Sequence, residues 1–131
     1  MSATGVLVAV VDDDESVRRA TRRLLRTAGF EVETYSCGTE FLDAVKHRTP
    51  SCVILDLHMP GSSGLEVQRR LTASGLDIPV IFLTADDDPA ARDRALQAGA
   101  VGYLRKSCSK EALLEAIYAT SSDAGGKRCL D

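Results

Sequence analysis

The chain has 131 residues and a mass of 14.0 kDa, room for one domain with a real core and too little for two of ordinary size. Hydrophobic residues make up 44% and charged residues 27%, a soluble composition that argues against disorder. A net charge of -3 and a pI near 5.4 argue against direct nucleic-acid binding by this domain. The longest apolar run, residues 6–11, is far shorter than the roughly 20 residues of a membrane span, and no basic leader precedes it.

In chain order, apolar runs alternate with helical periods. Residues 6–11 form a continuous valine-rich run, the pattern of a strand covered on both faces. Val17, Ala20, Leu24 and Leu25 then recur at helical spacing, with arginines opposite, Asp14 as cap and Gly29 as the stop. Residues 30–35 alternate apolar and polar, which suits an edge strand with one wetter face. Phe41, Leu42 and Val45 give a short second helix, and residues 52–55 a second buried run. Ser63 with Glu66 makes a capping-box pattern ahead of Val67 and Leu71. Residues 80–83 are the next buried run. Asp88-Pro89 opens a helix that stops at Gly99, residues 101–104 give a fifth run, and Ser109 caps a last helix carrying Leu113, Ala116, Ile117 and Thr120. Residues 121–131 lose the apolar period and read as a tail or the start of a linker after a domain spanning 1–121.

Five strand-then-helix units predict an α/β fold: a five-stranded parallel sheet in the order 2-1-3-4-5, flavodoxin-like, with helices on both faces. The four cysteines show no CxxC and no zinc spacing, so they read as reduced thiols in a cytoplasmic protein, with Cys52 a small buried hydrophobe.

In a parallel sheet all carboxyl ends share one edge, where ligands bind. The apolar runs end there in Asp12, Asp13 and Asp14, in Asp56, in Thr84, and in Arg105 and Lys106. Clustered carboxylates need a compensating charge, and an all-oxygen set without His or Cys points to Mg²⁺ or Mn²⁺. Mg²⁺ commonly shares its shell with a phosphate, for which Lys106 would be a point charge and Thr84 a donor. Asp56, alone at the end of a buried run and followed by a Pro60-Gly61 turn, is placed to act as a nucleophile toward phosphorus. A single aspartate after a strand is usually a cap or turn residue, and Asp14 reads so. Asp86, Asp87 and Asp88 read as a solvated loop with a cap, His58 as solvent-facing, and Tyr103 equally as plain core. It is the convergence of four strand ends that carries the chemistry.

The segments VVDDDESVRR, CVILDLHMPGSSGLE, PVIFLTA, AGAVGYLRKS and ALLEAI, in this order across residues 5–121, resemble the receiver domain of bacterial two-component response regulators. The resemblance implies a phosphorylation-dependent signalling switch rather than an enzyme, with at most self-catalysed phosphoryl transfer and autodephosphorylation. Asp56 corresponds to the phosphoacceptor, supplied by a sensor histidine kinase. Asp12 and Asp13 correspond to the acidic pair that holds Mg²⁺ with Asp56 and the His58 backbone carbonyl. Thr84 and Tyr103 correspond to the switch pair, Lys106 to the lysine that meets the phosphoryl group, and His58 and Asp86 to positions that tune its lifetime. A face of the fourth helix, fifth strand and fifth helix is implied as a dimer or partner surface. Ser107 stands where most receivers have a proline, often after a cis bond; a cis bond before a non-proline costs about 2.5–4 kcal/mol, which favours trans here. GYLRKS and LLEAI resemble receivers of the nitrate-response type, and HMPGSSGLE those of nitrogen-fixation regulators, which implies a transcription-regulating output domain. Two alternatives remain at this point. DDDES also resembles the nucleophile motif of haloacid-dehalogenase-type phosphatases, a reading that leaves LDLHMPG unexplained. A degenerate receiver acting only as a binding module is the other.

Overall fold

The computed structural model describes residues 6–59, 61, 63–85 and 88–130, with the backbone alone from Ser121 onward. Five parallel strands form one sheet in the order β2-β1-β3-β4-β5. They are β1 (Leu7–Val11), β2 (Glu31–Tyr35), β3 (Cys52–Asp56), β4 (Val80–Thr84) and β5 (Gly102–Arg105). Between and after them run α1 (Glu15–Thr27), α2 (Gly38–Val45), α3 (Gly64–Ala73), α4 (Pro89–Gln97) and α5 (Lys110–Leu130). The expected fold class and strand order are both observed.

Side chains alternate across each strand, so the central strands feed two cores. Ala9, Val11, Val53, Leu55, Val80 and Phe82 pack against α2, α3 and α4 through Phe41, Val45, Val67, Leu71, Ala91 and Ala95. Val8, Val10, Cys52, Ile54, Ile81 and Leu83 pack against α1 and α5 through Leu25, Leu113 and Ile117. Burial pushes the Cys52 thiol up to about 11. Cys37, Cys52 and Cys108 are free thiols, and Cys129 lies outside the described side chains.

The helix starts follow their caps. The Asp14 carboxylate accepts from the Ser16 and Val17 amides, Ser63 Oγ from Glu66, Asp88 from Ala91, and Ser109 Oγ from Ala112. The capping box at Ser63 is half formed: the Glu66 carboxylate turns to Arg69 and Arg70. Gly29 and Gly99 follow α1 and α4 with φ of +100° and +105°, the left-handed conformation that closes a helix.

Two element bounds are corrected. The fifth strand is shifted by one residue, to Gly102–Arg105, because it pairs in register with Ile81–Thr84, so Arg105 belongs to the strand. The last helix does not end near Thr120 but runs to Leu130, so the backbone of the segment read as a tail or the start of a linker is helical. The apolar period stops at Thr120, yet the following residues contain no proline to break the backbone. The Lys106–Ser107 bond is trans, as the cost of a cis bond before serine favours.

At the sheet's edge, Arg48, beyond α2, pairs with Glu31 and Glu33 of β2, and Tyr35 Oη donates to Glu33 at 2.7 Å. Burial, then this bond, pushes the Tyr35 phenol up to about 12. No helix among the described residues is long and apolar enough to cross a membrane.

Candidate functional site: an acidic rim at the carboxyl edge of the sheet

Parallel register sets the ends of β1, β3, β4 and β5 side by side: Val11 lies opposite Leu55, Asp56 opposite Leu83, and Thr84 opposite Arg105. The next residues therefore meet at one rim. Asp12 is 2% exposed, Asp56 4% and Thr84 fully buried, so these polar groups sit inside the fold and not on a solvated loop. Asp13 reaches the same place from the exposed side, and one carboxylate oxygen each from Asp12, Asp13 and Asp56 lies within 4.8 Å of the others.

Neighbours hold each carboxylate. Asp12 Oδ1 accepts from the Asp14 amide at 2.9 Å, and its carbonyl accepts from Arg18 Nη1 at 2.8 Å. Asp56 Oδ1 has a long contact, 3.4 Å, from the His58 amide. The Lys106 amide donates to the Thr84 carbonyl at 2.7 Å, which aims the lysine inward. Its Nζ stands 2.9 Å from Asp12 Oδ2 and 3.5 Å from Asp56 Oδ2.

The electrostatics follow from this crowding. Burial, then the charge of Asp12, pushes the Asp56 carboxyl up from 3.8 to about 6, against the pull of Lys106 and the His58 amide. Burial alone would lower the Lys106 ammonium. The hydrogen bond and charge of Asp12, with Asp56 behind it, reverse that and hold it above the ordinary lysine value. One ammonium thus shares two buried carboxylates while a third stands alongside. The residual negative charge, the all-oxygen donors and the mutual reach of three carboxylates fit a hard divalent cation.

Tyr103 is half-buried in β5, with its ring centroid 6.3 Å from that of Phe82, its register partner on β4. His58 is exposed, as its loop position implies, and Asp86 and Pro60 lie outside the described residues. Two residues that support the rim escaped the sequence reading. Gly64 starts α3 directly beneath the Asp56 loop: a Cβ there would stand 2.4 Å from the Asp56 carbonyl oxygen and 2.8 Å from Phe82. The other is Arg18, whose guanidinium fixes the Asp12 carbonyl. Gly64 lay inside the PGSSG stretch, where a loop glycine looks like one of several; the arginine is one of a run on α1.

A five-stranded parallel sheet in the order 2-1-3-4-5, with buried acids and a lysine at its carboxyl edge, defines a flavodoxin-like α/β protein with a candidate site at that edge, and the comparisons narrow that class. The family model for the response regulator receiver domain matches residues 8–118. Response regulator MprA of Mycobacterium sp. (strain KMS) is 43% identical over 124 residues, covering 92% of this chain and 54% of the relative. The solved response regulator receiver protein from Burkholderia phymatum is 51% identical with a TM-score of 0.78, covering 88% of this chain and 94% of that one. A DNA-binding response regulator of the LuxR family from Staphylococcus aureus is 29% identical with a TM-score of 0.82, covering 88% and 98%. The chain belongs to the response regulator receiver domain family of two-component systems, a signalling family. That membership overturns the phosphatase alternative. The chain spans about half the length of the curated relatives it matches.

Proposed function

We propose that the chain is a phosphorylation switch whose acceptor is Asp56, served by a sensor histidine kinase. The observation that carries the reading is the Asp56 carboxylate, 4% exposed, flanked by Asp12 and Asp13 and 3.5 Å from an ammonium. With its carboxyl pushed only to about 6, Asp56 is ionised at neutral pH and nucleophilic. An Asp56 oxygen attacks the phosphorus of a phosphohistidine. The P–O bond forms, the P–N bond breaks, and its electron pair returns to the imidazole nitrogen, which takes up a proton.

Asp12, Asp13 and Asp56, with the His58 carbonyl, would hold Mg²⁺ (or Mn²⁺), which supplies positive charge against the phosphoryl oxygens. Lys106 provides a second, chain-borne positive charge. The Thr84 hydroxyl donates to the phosphoryl group and draws the loop after β4 with it. Tyr103 turns inward as that loop moves, while His58 and Asp86 set how long the phosphoryl group survives. The face of α4, β5 and α5 then changes and offers a homodimer or partner surface. The relatives' greater length and the DNA-binding relative support an output domain that regulates transcription in the cytoplasm, joined through residues 122–131 as linker.

Treatment with acetyl phosphate and Mg²⁺, followed by intact-mass spectrometry, tests the reading. One phosphoryl group should be added to the chain and none to Asp56→Asn. Addition to Asp56→Asn, or none to the parent chain, overturns it. Mg²⁺ binding no stronger than to a generic acidic surface would favour the inert binding module instead.

A further inference from the structure

The apolar core beneath α3 and α4 takes in a buried polar side chain from α3. Gln68, one turn into α3, is 3% exposed. Its Nε2 donates across to the Ala95 carbonyl of α4 at 3.2 Å. Ala95 is in the last turn of α4, and the same carbonyl accepts from the Ala100 amide at 3.0 Å, so the bond grips the helix at its C-terminal end. Among the described residues, α4 is anchored by small side chains. Its buried residues are Ala91 and Ala95, side chains that bring little apolar area. Its other end is tied differently: Asp88 caps it, four residues beyond Thr84.

The two helices also differ in how firmly they are seated. α3 is wedged by Gly64 under the Asp56 carbonyl and buried through Val67 and Leu71, so it serves as the fixed partner. Gln68 Oε1 is buried without a hydrogen-bond partner among the described residues. A half-satisfied buried amide adds little net stability, because the desolvation of Oε1 offsets the bond that Nε2 makes. Its consequence is positional.

We infer that Gln68 is a positioning residue, a pin that fixes the C-terminal end of α4 to α3, so that movement of the Thr84 loop swings the other end of α4 about it. The swing rests on the phosphorylation reading above; the pin itself does not. Gln68→Met keeps the length of the side chain and removes both amide atoms.

The test is residue-resolved amide exchange on the full chain, with and without acetyl phosphate and Mg²⁺, phosphorylation being checked by mass. In the unphosphorylated chain, Gln68→Met should exchange about tenfold faster at Ala98, Gly99 and Ala100, with the strands unchanged and the thermal midpoint equal or higher. On phosphorylation, the parent chain should loosen at Ala91 and Arg92 alone, and Gln68→Met at both ends of α4. Equal exchange at Ala98–Ala100 in the two chains overturns the pin, as does uniformly faster exchange with a lower midpoint, which marks a packing defect. If no phosphoryl group is added, the phosphorylation reading fails and the unphosphorylated comparison still decides the pin.

Discussion

At the residue scale the informative group is Asp56. Its carboxyl stands near 6 in the fold against 3.8 unfolded, so between those values the native state binds the extra proton. Stability associated with this group is fully present below about pH 4 and is lost as pH rises through 6. Asp56→Asn removes that loss. In metal-free buffer at pH 7.5 the variant should be more stable than the parent by up to about 3 kcal/mol, with the two converging near pH 4; urea unfolding across pH measures it. Equal stability at both pH values would mean that the crowding of carboxylates costs nothing. Tyr35 offers a second check. With its phenol pushed to about 12, it should stay largely unionised at pH 11 in an absorbance titration compared with Tyr35→Phe, and Glu33→Gln should bring it down. Such shifts were not legible in the sequence, because they depend on which side chains the sheet brings together; the identities of the rim residues were, because each stands where an apolar run ends.

At the element scale, the caps and stops were readable and the packing between helices was not. Asp14, Ser63, Asp88 and Gly29 act as their local sequences dictate, since caps are made within one turn. Gly64 and Gln68 act across elements. Neither the close approach of α3 to the Asp56 loop nor the reach of Gln68 to α4 leaves a mark in a window of neighbouring residues. Gly64→Ala is the sharpest probe of this scale. The added methyl meets backbone, the Asp56 carbonyl, which can yield only by moving Asp56. Denaturant unfolding should show a loss of roughly 1–3 kcal/mol or more, and phosphorylation by acetyl phosphate should slow by more than that loss explains. Unchanged stability and rate would show that α3 can slide without disturbing the rim. The run of α5 to Leu130 was missed for a related reason: a lost apolar period marks the end of packing, not the end of a helix.

For the whole molecule, one sheet with a core on each face makes the rim the place where both halves meet, β1 and β3 from the centre and β4 and β5 from one side. A cation bound there ties several strand ends at once and acts on the folded state only. With free Mg²⁺ a hundredfold above its dissociation constant, the fold should gain about 2.7 kcal/mol, seen as a higher thermal midpoint that EDTA reverses. Asp13→Asn, at the exposed position of the trio, should keep the metal-free midpoint and lose most of the gain. A midpoint indifferent to Mg²⁺ in the parent chain would deny the rim a metal. The opposite margin of the sheet has a consequence of its own. β2 has a neighbour on one side only, and a bare strand invites another chain to add on. Here that margin carries Glu31 and Glu33, gathered by Arg48. Two molecules approaching strand to strand along β2 would crowd like-charged acids together, which opposes growth of the sheet into a ribbon through this edge.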